Sequence, residues 1–209
     1  MALLADHLHL TRFAVVGLSG DGPHAAACAR FLPERVVAAV IVSGVAPLAE
    51  PGTEAGMVPA DVLLVRMARR SPASTLPLFA AMAIFDRRWP ERALDLMARQ
   101  LGPADTAVLG HPEILAALLA DLRRSSPTTG KALAQDYALW AADWGFRLQD
   151  ITAPVHLWHG GADRDVPIAH ARRQAEAIPC AVLHDCPGEG HLLVGTRLEE
   201  ILRVVTGLF

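Results

Sequence analysis

Ser19, Asp163 and His191 are residues of the three types that nucleophilic catalysis by a hydroxyl combines, and each lies in a segment of the right local kind. Ser19 falls in Gly17-Leu18-Ser19-Gly20-Asp21-Gly22, a glycine-rich turn directly after the apolar run Phe13–Val16. Small residues are needed around such a turn because strand and helix approach closely, and the turn holds the hydroxyl beside a helix N-terminus. A phosphate-binding loop is the competing reading of this turn, but neither G-x-G-x-x-G nor G-x-x-x-x-G-K-[ST] is satisfied. Asp163 lies in Gly160-Gly161-Ala162-Asp163-Arg164-Asp165-Val166-Pro167, with Asp165 a competing acid two residues on, and His191 closes Pro187-Gly188-Glu189-Gly190-His191. His159, just before the first of these glycines, reads as structural.

The elements that must carry these residues form an alternating pattern. Phe13–Val16 reads as a strand, a helix starts near Pro23, and Val36–Val45 is a valine- and isoleucine-rich run of a strand buried on both faces. Two strands flanking a helix make a βαβ unit and a parallel sheet. Val155–Trp158 reads as a third strand, Ile168–Ile178 as a helix and Ala181–Cys186 as a fourth strand. The last helix, Leu192–Leu208, aligns Val194, Leu198, Ile201, Val205 and Leu208 on one side. Serine, acid and histidine thus each follow a different strand, at the edge where the loops of a parallel sheet converge. Residues 46–154 exceed what a crossover needs. They read as helices over Val62–Arg70, Leu76–Arg87, Pro90–Gln100, Pro112–Arg124 and Lys131–Trp144, with breaks at Ser71-Pro72, Leu101-Gly102-Pro103 and Ser126-Pro127.

With the elbow Val16-Gly17-Leu18-Ser19-Gly20, the G-x-x-D-x-x-V-P segment from Gly160 to Pro167, and Pro187-Gly188-Glu189-Gly190-His191-Leu192, the sequence resembles the α/β-hydrolase superfamily. The resemblance covers essentially the whole chain. It implies an α/β fold in which residues 1–45 and 147–209 form a parallel-sheet core and residues 46–146 an inserted helical cap. It also implies a Ser19 nucleophile, His191 as its base, Asp163 orienting the imidazole, and the backbone N–H of Gly20 as one oxyanion donor. The expected activity is cleavage of an ester or related acyl substrate without a cofactor. A non-catalytic fragment or binding module, and a C–C hydrolase or haloperoxidase-type enzyme of the same fold, are the alternatives.

Two departures from the family pattern shape these expectations. The family carries further strands and a loop with a second oxyanion donor ahead of the nucleophile, whereas 18 residues precede Ser19 here. The expectation is therefore the C-terminal part of the fold, impaired in hydrolysis, with the elbow strand as an open edge along which copies self-associate. The second departure is Asp21, where G-x-S-x-G closes on glycine.

Composition narrows the partners. The 209 residues are 52% hydrophobic and 20% charged, with 19 Lys and Arg against 22 Asp and Glu. That balance supplies no electrostatic footprint for nucleic acid or an anionic membrane, and a small molecule is expected instead. Stretches free of charge stay under the about 18 residues of a spanning helix. With no basic leader at the N-terminus, the expected address is cytoplasmic. Cys28, Cys180 and Cys186 form no C-x-x-C and read as buried free thiols, and the nine histidines show no metal-ligand spacing.

Overall fold

Val36–Val42 (β2) is buried at every position, as an unbroken run of valine, alanine and isoleucine requires when both faces of a parallel strand are covered. In the computed structural model, which describes residues 1–125 and 130–207, β2 pairs in parallel with Phe13–Leu18 (β1) on one side and Val155–Gly160 (β3) on the other. Ala181–Cys186 (β4) adds to β3, so the sheet order is β1-β2-β3-β4. The helices in chain order are Ala2–His7 (α1), Gly22–Phe31 (α2), Pro59–Arg70 (α3), Leu76–Arg88 (α4), Pro90–Leu101 (α5), Pro103–Leu109 (α6), Pro112–Ser125 (α7), Lys131–Ala141 (α8), Ala169–Ala177 (α9) and Val194–Thr206 (α10).

Because the strand order advances in one direction, crossover helices of the same hand fall on the same face of the sheet. Accordingly Ala25, Ala26 and Ala29 of α2 share one buried cluster with Phe13, Val15, Ile41 and Leu157, and Ala175 of α9 packs against it. Alanines suit this position because they let α2 lie close to the sheet. The opposite face buries Val40, Val42 and Trp158 against Ile201 of α10. Along α10 the packed stripe runs through Val194, Ile201, Val204 and Val205, while Leu198 is 50% exposed. The expected stripe is thus corrected by a small rotation toward Val204. The expected break at Ser126-Pro127 and the last position of that stripe, Leu208, lie outside the described residues.

The chain divides into two units, residues 1–46 with 144–209, and residues 47–143. Trp144 and Phe146 pack in the core of the first. The second is helical. Its centre joins Leu64, Phe79 and Ala134 in one cluster and Leu48, Val65 and Ala141 in another, with Tyr137 against both. Phe79 is 1% exposed, and full burial of such a side chain contributes about 1.5–3 kcal/mol. The Tyr137 hydroxyl donates to Asp61 at 3.0 Å, and Arg69 ties Glu54 and the Leu48 carbonyl together. The helix α6 begins at Pro103, the last residue of a segment read from sequence as a break, because a proline after glycine here opens a helix rather than ending one.

Candidate active site

The site grows from four strand ends, one residue each. Ser19 follows β1, Ser43 follows β2, Asp163 lies three residues past β3, and His191 five residues past β4. Ser19 begins a single 3-10 turn, Ser19–Asp21, that runs into the N-terminus of α2, and Gly20 is the middle residue of that turn. The Ser19 backbone is left-handed, with φ 54°. Serine rarely adopts this conformation, and residues held so at a cost of about 1–3 kcal/mol concentrate at functional sites. The turn is tight enough that a Cβ on Gly17 would lie 2.5 Å from the Asp21 carbonyl oxygen. Asp21 itself is exposed. The close approach that a closing glycine would serve is made one residue later, where a Cβ on Gly22 would stand 3.0 Å from Ile41 and 3.1 Å from Gly44.

Ser19, His191 and Asp163 are brought together. His191 Nε2 stands 3.0 Å from Ser19 Oγ, and His191 Nδ1 stands 2.9 Å from Asp163 Oδ2. A carboxylate can only accept, so Nδ1 carries the proton, and in the neutral ring Nε2 is left to accept from the serine hydroxyl. The other carboxylate oxygen, Oδ1, accepts the backbone N–H groups of Asp165 and Val166, each at 2.9 Å. His159 completes the setting of the acid: its Nε2 donates to the Val166 carbonyl at 2.8 Å and lies 3.4 Å from Asp163 Oδ2. Burial would raise the Asp163 pKa, but the hydrogen bonds and charges of His159 and His191 outweigh it and hold the carboxyl well below its ordinary range. Asp165, the competing acid, approaches the other ring nitrogen, with Oδ2 3.8 Å from His191 Nε2. The orienting contact to Nδ1 belongs to Asp163.

Two features of the site escaped the sequence. Ser43 is fully buried, has φ 50°, and donates through Oγ to the His191 carbonyl at 2.8 Å, which pins the histidine loop to the end of β2. Gly160 is required for the same loop, because a Cβ there would overlap the carbonyl oxygens of Glu189 and Gly190. A serine at a strand end and a glycine inside a glycine pair carry no sequence pattern that points across the sheet.

Elsewhere in the first unit, His170 is buried on α9 and its Nδ1 accepts the Ala46 backbone N–H at 3.1 Å. Burial pushes its pKa down to about 4. Cys28 is half-buried, Cys186 buried and Cys180 exposed, all three free, so the expectation of three buried thiols is corrected at Cys180. Among the described residues no group of three or more His, Cys, Asp or Glu side chains is placed to hold a metal ion, and no helix is long and apolar enough to cross a membrane.

Among solved structures the chain is similar to a bromoperoxidase from Bacillus anthracis, at TM-score 0.67 and 19% identity, covering 99% of this chain and 70% of that one. It is similar as well to an alpha/beta hydrolase enzyme from a Medee basin deep-sea metagenome, at TM-score 0.66 and 15% identity over 100% of this chain and 68% of the other. The chain has the α/β-hydrolase fold. An esterase from Exiguobacterium antarcticum shares this α/β-hydrolase likeness at TM-score 0.64 and 18% identity, with 98% of this chain and 69% of that one covered. The chain thus spans about 70% of the length of such α/β-hydrolase structures and carries part of the core of the fold. No family model matches the sequence, and no curated protein does.

Proposed function

We propose that this chain is a serine hydrolase that cleaves an ester or related acyl substrate. The observation that carries the reading is the unbroken hydrogen-bonded line from Ser19 through His191 to Asp163, with the serine held in a left-handed elbow at a helix N-terminus. In this reading Ser19 Oγ attacks the substrate carbonyl while His191 Nε2 takes its proton. Asp163, kept ionised by its donors, stabilises the imidazolium that forms. The oxyanion develops beside the turn, where the Gly20 N–H and the positive end of α2 favour negative charge. His191 then returns the proton to the leaving alcohol. Water, deprotonated by the same nitrogen, releases the acid and restores the serine. No cofactor enters these steps.

The similar structures, an esterase among them, are consistent with acyl chemistry on this fold. The likeness to a bromoperoxidase favours one second reading, peroxide-dependent bromination at the same serine.

The test is covalent labelling by a neutral fluorophosphonate, read by mass spectrometry of the intact chain and its peptides, alongside hydrolysis of a neutral aryl ester. One adduct on Ser19 is expected, absent in Ser19→Ala, with ester turnover reduced at least about 10⁴-fold in that variant. A folded chain that takes no label and cleaves no ester overturns the proposal. Bromination of a phenol reporter that needs peroxide and Ser19 selects the second reading.

A further inference from the structure

His159 is a buried imidazole beside the acid that the proposed proton transfers leave unused. Its side chain is 1% exposed, and it belongs to β3, which is paired on both sides by β2 and β4. Its Nε2 stands 2.8 Å from the Val166 carbonyl oxygen and 3.4 Å from Asp163 Oδ2. Both of these neighbours are oxygens that can only accept, so Nε2 carries the proton. Val166 in turn donates its own N–H to Asp163 Oδ1 at 2.9 Å. A closed circuit results, from the end of β3 through Val166 to the acid and back across the 3.4 Å gap to His159.

The circuit has two consequences. Val166 is anchored at both its N–H and its carbonyl, so the loop after β3 cannot swing the acid away from His191. The positive end of the His159 N–H also stands beside Oδ2, the oxygen that faces His191 Nδ1 at 2.9 Å. A carboxylate stabilised by a second donor pulls less strongly on the proton of the first. We infer that His159 is a positioning residue for the proposed reaction: it fixes Asp163 from the strand and tempers the pull of the acid on His191, which leaves that imidazole able to accept the serine proton near neutral pH. This rests on the serine-hydrolase reading and names what tunes its base. Other charges face the same groups. Asp165 Oδ2 lies 3.8 Å from His191 Nε2, and His170 on α9, which feels Arg173, interacts electrostatically with His159 and Asp163. These residues are common to every variant below, and burial pushes the His170 pKa down to about 4, so it is uncharged near neutral pH.

The test compares His159→Phe, which keeps a ring and removes the donor, with His159→Gln, whose amide N–H has a similar reach. Two quantities are read: the NMR titration of the His191 ring protons, assigned by their absence in His191→Gln, and the pH profile of kcat/KM for the neutral aryl ester. In the Phe variant the His191 midpoint and the acid limb of the profile are expected to move together to higher pH by roughly half a pH unit or more, with kcat about tenfold lower and KM little changed. In the Gln variant both should return toward wild type. If circular dichroism shows the Phe variant unfolded, His159→Asn, whose shorter amide stops short of Oδ2, is read in its place. A His191 midpoint that stays put or falls when the donor is removed, whatever happens to kcat, overturns the inference, as does a Gln variant that behaves like the Phe variant. Failure of the neutral fluorophosphonate to modify Ser19 overturns the serine-hydrolase reading instead. The His191 midpoint, measured without substrate, then still decides whether His159 governs that imidazole.

Discussion

Asp163 accepts at both carboxylate oxygens, from two backbone N–H groups on Oδ1 and from His191 on Oδ2, with His159 Nε2 3.4 Å from the latter. An amide cannot do this, because its nitrogen donates. Asp163→Asn should therefore force the wrong tautomer on His191 or turn a donor against a donor, and ester turnover should fall about 10³–10⁴-fold with a much smaller change in KM. Steady-state kinetics on the neutral ester check it. A second prediction concerns His170, which is buried and neutral on α9 with its pKa near 4. In the unfolded chain its pKa returns to about 6.5, so between these values the unfolded state binds the extra proton. Its contribution to stability is complete above about pH 6.5, declines as pH falls, and is lost by about pH 4, a span of about 3 kcal/mol. Urea unfolding at pH 7 and pH 5 should show that decline, and His170→Asn, whose side-chain oxygen can still accept from Ala46, should flatten it. The residues that carry the proposed chemistry were legible because each follows an apolar run in a short motif. Ser43 was not, because what it does depends on a partner brought near by the sheet; Ser43 and the loop it anchors are 148 positions apart.

At the scale of elements, β3 and the loop after β4 meet at Gly160, where any side chain would strike the carbonyls of Glu189 and Gly190. Neither carbonyl can move without moving His191, the next residue. Gly160→Ala is therefore expected to lower kcat at least about 100-fold while fluorescence and circular dichroism still report a folded chain, since displacing a catalytic group by about an ångström costs that much. A variant with wild-type kcat would show that the loop adjusts freely. Most elements were legible from pattern alone. An unbroken apolar run rich in valine announced β2, and α7 keeps Ile114, Leu115, Leu118, Leu119 and Leu122 half-buried with Asp121, Arg123 and Arg124 exposed. Two details were not. The helix α6 was hidden because Gly102-Pro103 signals equally a break and a helix start. Leu198 fits an idealised spacing, yet packing against the sheet selects Val204 in its place.

Over the whole molecule, the sheet ends at β1, which pairs only with β2 among the described residues. Val16 on that strand is 51% exposed and Leu3 on the preceding α1 is 86% exposed. An apolar edge with unpaired backbone groups pairs readily with another strand. The 209-residue chain should therefore associate with copies of itself in a concentration-dependent way, and Val16→Lys should shift it toward monomer. Sedimentation velocity over a hundredfold range of concentration checks this, and a strict monomer throughout would count against it. Ser19 bears on the whole molecule too. Its left-handed backbone is a conformation that glycine takes without cost, so replacing the serine by glycine would relax the turn and make the chain harder to melt while deleting the hydroxyl. A laboratory selection for heat resistance alone would drift toward inert proteins at that codon, and only a screen that also rewards turnover would hold the serine in place.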